Sequence, residues 1–412
     1  MRRSTDRIYT THVGSLPRPA ALLDLMKAAA AGGAPDGAEL AAAELPAAER
    51  AAVTEVVRRQ RAAGLDVVCD GEQSKTGFFA YIGQRLSGFE PRPGRSALDG
   101  FKAEIDAFPE YYEQYLKAAM TGGSVAPVVP LGCTGPVTYT GADRLRRDLE
   151  NLRAAVGDAG PDDVFVSAVA PSGVGGNEYY PSQAEYLDAV ADALRVEYAA
   201  IVDAGFTLQI DDPFLTDVFS YGSGSQEQKL ATARLYAAAI NRSLRGIPRD
   251  RVRLHTCYGI NEGPRVHDAP LADLIGVLLT IQAGALSFEA ANPRHEHVYH
   301  LFESVGLPEG MVLLPGVISH ATNIVEHPDT IADRIVRFAE RVGKENVVAS
   351  ADCGFSSQAT YRPEIHPKII WAKFEALAEG ARRATARLWL PRAQSSCPSR
   401  LSSSSVPSRS RP

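Results

Sequence analysis

The chain alternates between short apolar segments rich in β-branched residues and longer segments of helical length, and each short segment ends in a polar or acidic residue. This pattern is typical of parallel strands joined by helices. Eight such short segments occur, at residues 11–15, 66–72, 164–171, 207–213, 252–258, 285–289, 312–319 and 347–353. They predict one α/β domain over residues 1–392, folded as a (β/α)8 TIM barrel. An open doubly wound sheet is the alternative, although the glycines of residues 173–176 lack the dinucleotide-binding spacing.

Two stretches interrupt the repeat. Residues 94–139 form a long insertion between the second and third predicted strands, and its apolar end predicts a hairpin over one mouth of the barrel. Residues 393–412 are mainly Ser, Arg and Pro, a composition that cannot bury enough apolar surface to fold. We therefore predict a disordered tail there.

Composition narrows the class of protein. The 412 residues are 45% hydrophobic and 22% charged, which is enough apolar material for a large core. The net charge of −6 and the lack of a basic block argue against a nucleic-acid or membrane surface. No apolar run is long enough to span a bilayer, and residues 1–11 have no leader-like apolar stretch. Five cysteines, an odd number, argue against a disulfide framework. We expect a cytoplasmic protein.

Polar side chains at the carboxyl ends of barrel strands face the active site. His255 and Cys257 are two residues apart on one predicted strand, so both point to the same side, and Glu289 and Cys353 end two other strands. Two thiolates, an imidazole and a carboxylate predict a tetrahedral zinc site, because soft thiolates favour zinc. The carboxylate is the most labile of these ligands, so we expect Glu289 to yield to an incoming thiol. The alternative is a core thiol beside a backbone-bonded histidine.

Zinc that already carries two thiolates is suited to holding a third, and binding lowers the pKa of that substrate thiol so that it can attack an alkyl carbon. His320, after the seventh predicted strand, is the predicted proton donor to the leaving group, with a structural histidine as the alternative. Glu72 and Asp211 suit an ammonium group. Their alternatives are an ion pair with Lys75 or Arg85, and a helix N-cap. The Arg-His-Glu-His sequence at 294–297 is expected to form a solvated loop, with a second metal site as the alternative.

The chain resembles the catalytic barrel of the cobalamin-independent methionine synthase family. The resemblance rests on five motifs: His12-Val13-Gly14-Ser15, Asp70-Gly71-Glu72, Gln209-Ile210-Asp211-Asp212-Pro213, His255-Thr256-Cys257-Tyr258 and Ala351-Asp352-Cys353-Gly354. It implies that His255, Cys257, Glu289 and Cys353 bind the catalytic zinc. It also implies that Ser15, Glu72 and Asp211 hold the amino acid group of homocysteine, and that His320 is the proton donor.

The chain is also similar to single-barrel members of this family, among them the epoxyalkane:coenzyme M transferases. The shared features include Arg253-Leu254-His255-x-Cys257, Ser287-Phe288-Glu289 and Pro315-Gly316-Val317-x-Ser319-His320. Tyrosines stand at 179 and 180, where the family has a tryptophan for the folate ring, and the segment between Cys257 and Glu289 is longer than in the family.

Three functions therefore stay open. The first is methyl transfer from 5-methyltetrahydrofolate, or its triglutamate form, to homocysteine. The second is addition of coenzyme M to an epoxide, for which Arg18, Lys75 and Arg294 are candidate partners of the sulfonate. The third is a non-catalytic binding protein that zinc stabilises.

Overall fold

The computed structural model describes residues 1–30, 35–78, 80–94, 101–116, 123–126, 129–259 and 262–389, so the predicted tail at 393–412 lies outside the described residues. The strands are β1 (Tyr9–Thr10), β2 (Leu86–Pro91), β3 (Leu131–Tyr139), β4 (Phe165–Val169), β5 (Gly176–Asn177), β6 (Thr207–Asp211), β7 (Val252–His255), β8 (Ala285–Phe288), β9 (Val312–Ile318) and β10 (Val348–Ala351). The α-helices are α1 (Ala20–Ala30), α2 (Pro35–Ala62), α3 (Lys102–Ala107), α4 (Pro109–Tyr115), α5 (Ala142–Val156), α6 (Gln183–Asp203), α7 (Phe214–Ser220), α8 (Gln226–Ser243), α9 (Ile275–Leu278), α10 (Pro328–Val342) and α11 (Pro367–Trp389).

Seven strands form one parallel sheet in the order β1-β10-β9-β8-β7-β6-β4, so the predicted α/β architecture with a parallel sheet is confirmed. Helices cover it: α10, for example, buries Ile331, Ile335 and Phe338 at helical spacing. The register brings the carboxyl ends of three strands level, because Asp211 pairs with His255 and His255 pairs with Ser287. Residues at or just beyond these strand ends therefore lie at the same end of the sheet.

Two predicted strands differ from the structure. The first strand is Tyr9–Thr10 rather than 11–15, because beyond it the buried Arg253 side chain donates hydrogen bonds to the Thr11 hydroxyl and the His12 carbonyl. Residues 66–72 contain no strand. Val67 nevertheless donates its N–H to the Thr10 carbonyl, and Val68 pairs in parallel with Val164, just before β4. This segment therefore lies between the two outer strands of the sheet.

A second, three-stranded sheet has the order β2-β3-β5, with β2 and β3 antiparallel. The described part of the 94–139 stretch supplies α3, α4 and β3. Its helices contact loops that follow the strands of the large sheet. Glu104 accepts hydrogen bonds from the backbone N–H groups of Val266 and His267, and Tyr115 donates to Glu364 over 2.6 Å.

The contact between α4 and Glu364 gives a pH-dependent prediction. Burial raises the pKa of Glu364 to about 7. A carboxyl whose pKa is raised on folding contributes stability that is lost as pH rises through the folded value. We therefore compare the free energy of unfolding of Glu364→Gln with that of wild type at two pH values. The difference, variant minus wild type, should be about 1 to 2 kcal/mol larger at pH 8.5 than at pH 5.5. Chemical denaturation at both pH values measures it. Glu110→Gln, which removes an exposed carboxyl from α4, is the control. An equal change in both variants would contradict the raised pKa of Glu364.

Among the described helices, none combines the length and the apolar character that crossing a bilayer requires.

Candidate metal centre

Three side chains with metal-binding atoms meet beyond the carboxyl ends of β7 and β10. His255 is the last residue of β7, Cys257 follows it two residues later, and Cys353 follows β10. One imidazole nitrogen and the two sulfur atoms all lie within 4.8 Å of one another, and all three residues are buried. The structure thus brings together three of the four residues that the sequence assigned to a metal site.

The His255 imidazole is in a state that can bind a metal. Its Nδ1 lies 3.0 Å from the Ser287 hydroxyl, while its buried Nε2 has no hydrogen-bond partner among the described residues. Burial lowers the pKa of His255 to about 3, so the ring is neutral at physiological pH. A neutral imidazole held through one nitrogen, with a lone pair on the other, is the usual form of a histidine ligand.

The two thiols are in hydrogen-bond contact with each other. That contact and burial raise the pKa of Cys353 well above its ordinary value. Cys353 therefore stays protonated unless a cation is bound, and a soft divalent cation would hold both sulfurs as thiolates. Together with the free imidazole nitrogen, this donor set fits zinc.

A second group of possible ligands consists of Glu289, His320 and Asp352, whose donor atoms also lie within 4.8 Å of one another. Asp352 accepts hydrogen bonds from the backbone N–H groups of residues 290, 291 and 292 at 2.7, 2.7 and 2.9 Å. A Cβ at Gly316 would lie 2.0 Å from Asp352 Oδ1, so glycine is required there. Asp352 thus joins the ends of β8, β9 and β10. It was not predicted, although its place beside Cys353 was a usable signal.

Glu289, the predicted fourth ligand, lies in this second group and is held by three donor residues. Oε1 accepts from the Tyr258 N–H and from Arg265, both at 3.0 Å. Oε2 lies 2.7 Å from Asn292 Nδ2 and 2.9 Å from Arg265. Burial favours a raised pKa, but Arg265 and His320 outweigh it and hold the pKa of Glu289 below its usual range.

Arg265 is itself fixed by buried partners. Its Nε lies 2.9 Å from Asp268, whose carboxylate also lies 2.9 Å from His295 Nε2. The His295 ring stacks on Tyr258 with centroids 4.2 Å apart. The expectation of a fully solvated loop at 294–297 is therefore wrong at His295, because Asp268 and Tyr258, from a segment distant in sequence, enclose it.

His320, the predicted proton donor, is buried beside Glu289 and Asp352. Burial lowers the pKa of His320 to about 4, while the nearby Glu289 carboxylate acts in the opposite direction. In this state the ring is neutral at physiological pH. Neither ring nitrogen has a partner of normal hydrogen-bond geometry among the described residues.

Ser15 and Glu72 lie close to the metal-binding loops. A Cβ at Gly354 would lie 2.1 Å from Ser15 Oγ, and the Phe355 N–H donates to the Ser15 carbonyl. Glu72 has a left-handed backbone, with φ of +56°, and its carboxylate reaches Gly14, where a Cβ would lie 3.3 Å from Oε1. The loop after Cys353 and the two substrate-binding loops predicted from the sequence therefore pack together.

Asp211 is the third predicted substrate residue, at the end of β6. Gln209 Nε2 donates to its carboxylate over 2.6 Å. Burial, and then the charge of Glu72, raise the pKa of Asp211 well above its usual value. The helix-capping alternative does not apply, because Asp212 is the residue that accepts from the Leu215 N–H at the start of α7. Asp211 and Glu72 are thus neighbouring carboxyls that an ammonium group would stabilise in their charged forms.

The sequence of the chain matches a family of known proteins. A model described as the catalytic domain of cobalamin-independent synthases matches residues 8–159 and 177–367. The chain belongs to this family. All eight predicted site residues fall inside the matched spans, and the predicted place among methyltransferases of the methionine synthase family is confirmed.

Individual members of the cobalamin-independent synthase family are distant in sequence. The methionine synthase of Sulfolobus acidocaldarius is 24% identical over 350 residues, covering 84% of this chain and 85% of that protein. The 5-methyltetrahydropteroyltriglutamate–homocysteine methyltransferase of Mycobacterium tuberculosis is also 24% identical, over 353 residues, but this chain spans only 40% of it. A B12-independent methionine synthase from Shewanella sp. W3-18-1, solved with selenomethionine, superposes with a TM-score of 0.65 at 18% identity, over 93% of this chain and 99% of that one. At this identity the superposition supports the fold.

Proposed function

We propose that this member of the cobalamin-independent synthase family transfers a methyl group to the sulfur of homocysteine, forming methionine, and requires one zinc ion. The observation that carries the proposal is the buried group of His255, Cys257 and Cys353, in which one imidazole nitrogen has no hydrogen-bond partner in the described part of the chain. Bound there, zinc would lower the pKa of a substrate thiol so that a thiolate exists at neutral pH. Glu289 lies outside this group, and we assign the remaining ligand position to the substrate sulfur.

We further propose that the sheet closes into the full (β/α)8 barrel, with residues 66–72 as its eighth position. The pairing of Val68 with Val164 and the hydrogen bond from Val67 to Thr10 support closure. On this proposal the metal ligands lie at the mouth formed by the carboxyl ends of the strands, where barrel enzymes bind their substrates.

Glu72 and Asp211 are proposed to bind the ammonium group of homocysteine, with Ser15 beside them. The charge of Glu72 helps to raise the pKa of the buried Asp211, and two neighbouring buried carboxyls are unfavourable without a cation. Lys75 supplies part of this charge: burial acts to lower the pKa of Lys75, but Glu72 and Asp70 outweigh it. Its Nζ, however, is directed to the Ser167 carbonyl at 2.7 Å. An ammonium group of the substrate would supply the remaining positive charge.

The alternative acceptor, coenzyme M, carries a sulfonate that needs free cations. Arg18 already donates to the carbonyls of Ser356, Glu72 and Lys75 at 2.5, 2.8 and 2.9 Å. Lys75 is bound to Ser167, and the exposed Arg294 bonds the Val266 carbonyl. Because the three cations suggested by the sequence have other partners, we favour homocysteine as the acceptor.

The methyl donor is proposed to be a methyltetrahydropteroyl compound, the class that the name of the mycobacterial relative gives for that protein. The test is methionine formation by zinc-loaded protein from homocysteine and 5-methyltetrahydrofolate or its triglutamate form. We expect turnover with one of these donors and none with coenzyme M and an epoxide. Turnover of the epoxide instead would establish the alternative enzyme, and stoichiometric zinc without turnover of any thiol would favour the non-catalytic binding protein.

His320 is proposed to deliver the proton to the leaving group, since its ring is beside Glu289 and Asp352, and the Glu289 carboxylate favours the imidazolium form against the effect of burial. We expect His320→Asn to lower kcat by about 100-fold or more, the usual contribution of a general acid, with metal content unchanged. Steady-state kinetics and metal analysis measure both. His300→Asn, which removes an exposed histidine, is the control, and an unchanged kcat in His320→Asn would contradict the role.

A further inference from the structure

The protein itself supplies three donor atoms to the carboxylate of Glu289. A carboxylate offers about four lone-pair sites on its two oxygens. Oε1 has the Tyr258 N–H and Arg265 within 3.0 Å, and Oε2 has Asn292 and Arg265 within 2.9 Å. The two Arg265 distances belong to one nitrogen, Nη2, so three donor atoms hold the buried carboxylate, and a metal ion at Oε1 would compete with two of them.

Arg265 reaches Glu289 because of an unusual local conformation. It lies in the stretch between Cys257 and Glu289, and its φ of +59° is rare for a residue with a side chain. Its guanidinium is almost fully buried, with 4% of the side chain exposed, and its Nε forms an ion pair with Asp268. Such strain persists only where surrounding contacts hold the residue in place, and Asp268 in turn is held by His295.

We propose that Arg265 is a positioning residue that holds the Glu289 carboxylate outside the His255–Cys257–Cys353 group and so keeps one metal position available to the substrate thiol. This inference rests on the proposed zinc function. Asn292 and the Tyr258 N–H complete the restraint, and the Asp268–His295 pair fixes the guanidinium. On this account Glu289 acts through His320 and the backbone after Cys257 rather than as a permanent ligand.

The proposal makes the effect of Glu289 on the metal depend on Arg265. With Arg265 present, Glu289→Gln should change the dissociation constant of Co²⁺ or Zn²⁺ by less than about tenfold, the lower end of outer-shell effects, because the carboxylate is not a ligand. In Arg265→Met the carboxylate loses two of its contacts and becomes free to bind the metal. We expect Arg265→Met to bind the metal about tenfold more tightly, within the range of outer-shell effects on metal sites. Adding Glu289→Gln to this variant should abolish the gain in affinity.

The experiment is a double-mutant cycle with Co²⁺ as the probe, measuring the dissociation constant by competition with a chelator and the visible absorption bands of the bound metal. Wild type and Glu289→Gln should have the same cobalt spectrum, whereas Arg265→Met should have a shifted one. Arg265→Lys keeps the positive charge and should restore most of the wild-type behaviour. Arg294→Met, which removes an exposed guanidinium nearby, is the matched control.

Glu289→Gln that weakens Co²⁺ binding tenfold or more with Arg265 intact, and that shifts the spectrum, would overturn the inference. The comparison of wild type with Glu289→Gln does not require the Arg265→Met variant to fold. If Cys353→Ser also loses the metal, the zinc function stands and only the positioning role fails. If wild type binds no Co²⁺ or Zn²⁺, both fail together.

Discussion

Replacing Cys353 or Cys257 with serine is expected to abolish zinc binding and methionine formation while the domain still folds. The two sulfurs and one His255 nitrogen are the donor atoms that lie together, so either change leaves two strong ligands. Serine is a poor ligand for zinc because its hydroxyl stays protonated at neutral pH. Activity should fall by at least about a thousandfold, which corresponds to about 4 kcal/mol of lost transition-state stabilisation.

Metal analysis, kinetics and thermal unfolding with and without zinc measure the effect. Zinc should raise the unfolding temperature of wild type but not of either variant, since a ligand stabilises only a protein that binds it. Cys133→Ser is the matched control: this cysteine is also buried and free, but it lies in β3 of the small sheet. Stoichiometric zinc in both site variants would refute the assignment of the ligands.

The second large effect is expected from Asp211→Asn, which should weaken homocysteine binding by about 100-fold, or about 3 kcal/mol, the usual loss when one partner of a buried charged pair is removed. Asparagine keeps the size of the side chain and a carbonyl oxygen for Gln209, but it cannot carry the charge that an ammonium group requires. Titration with homocysteine and with 3-mercaptopropionate, a thiol without an ammonium group, separates the effects. A similar loss for both thiols would mean that Asp211 does not bind the amino group.

The grouping of His255, Cys257 and Cys353 could be predicted from the sequence because polar residues at the carboxyl ends of parallel strands meet at one end of the sheet. Two regular features of the fold determine this grouping. The two-residue spacing brings His255, the last residue of β7, and Cys257, just beyond it, to one site, and the register of β6, β7 and β8 brings the strand ends level. Cys353 follows from the same rule applied to β10. The fold class followed from the repeated apolar segments, since a parallel sheet buried by helices leaves that pattern in any sequence.

The environment of Glu289 could not be predicted in the same way. Arg265 reaches it only through a left-handed backbone in an irregular segment, and hydrophobic periodicity carries no information about such a conformation. The buried state of His295 likewise depends on Asp268 and on the Tyr258 ring. The early end of β1 depends on Arg253, a charged side chain from another strand that donates to the Thr11 hydroxyl and the His12 carbonyl.

The measurement closest to the central claim is proton release when zinc-loaded protein is mixed with homocysteine in weakly buffered solution. A thiol that binds the metal loses its proton, so the signal reports formation of the nucleophile itself. The account predicts release of about one proton per bound zinc with homocysteine, little release with coenzyme M, and none with homocysteine after Cys353→Ser. Homocysteine that binds to the zinc-loaded protein without releasing a proton would contradict it.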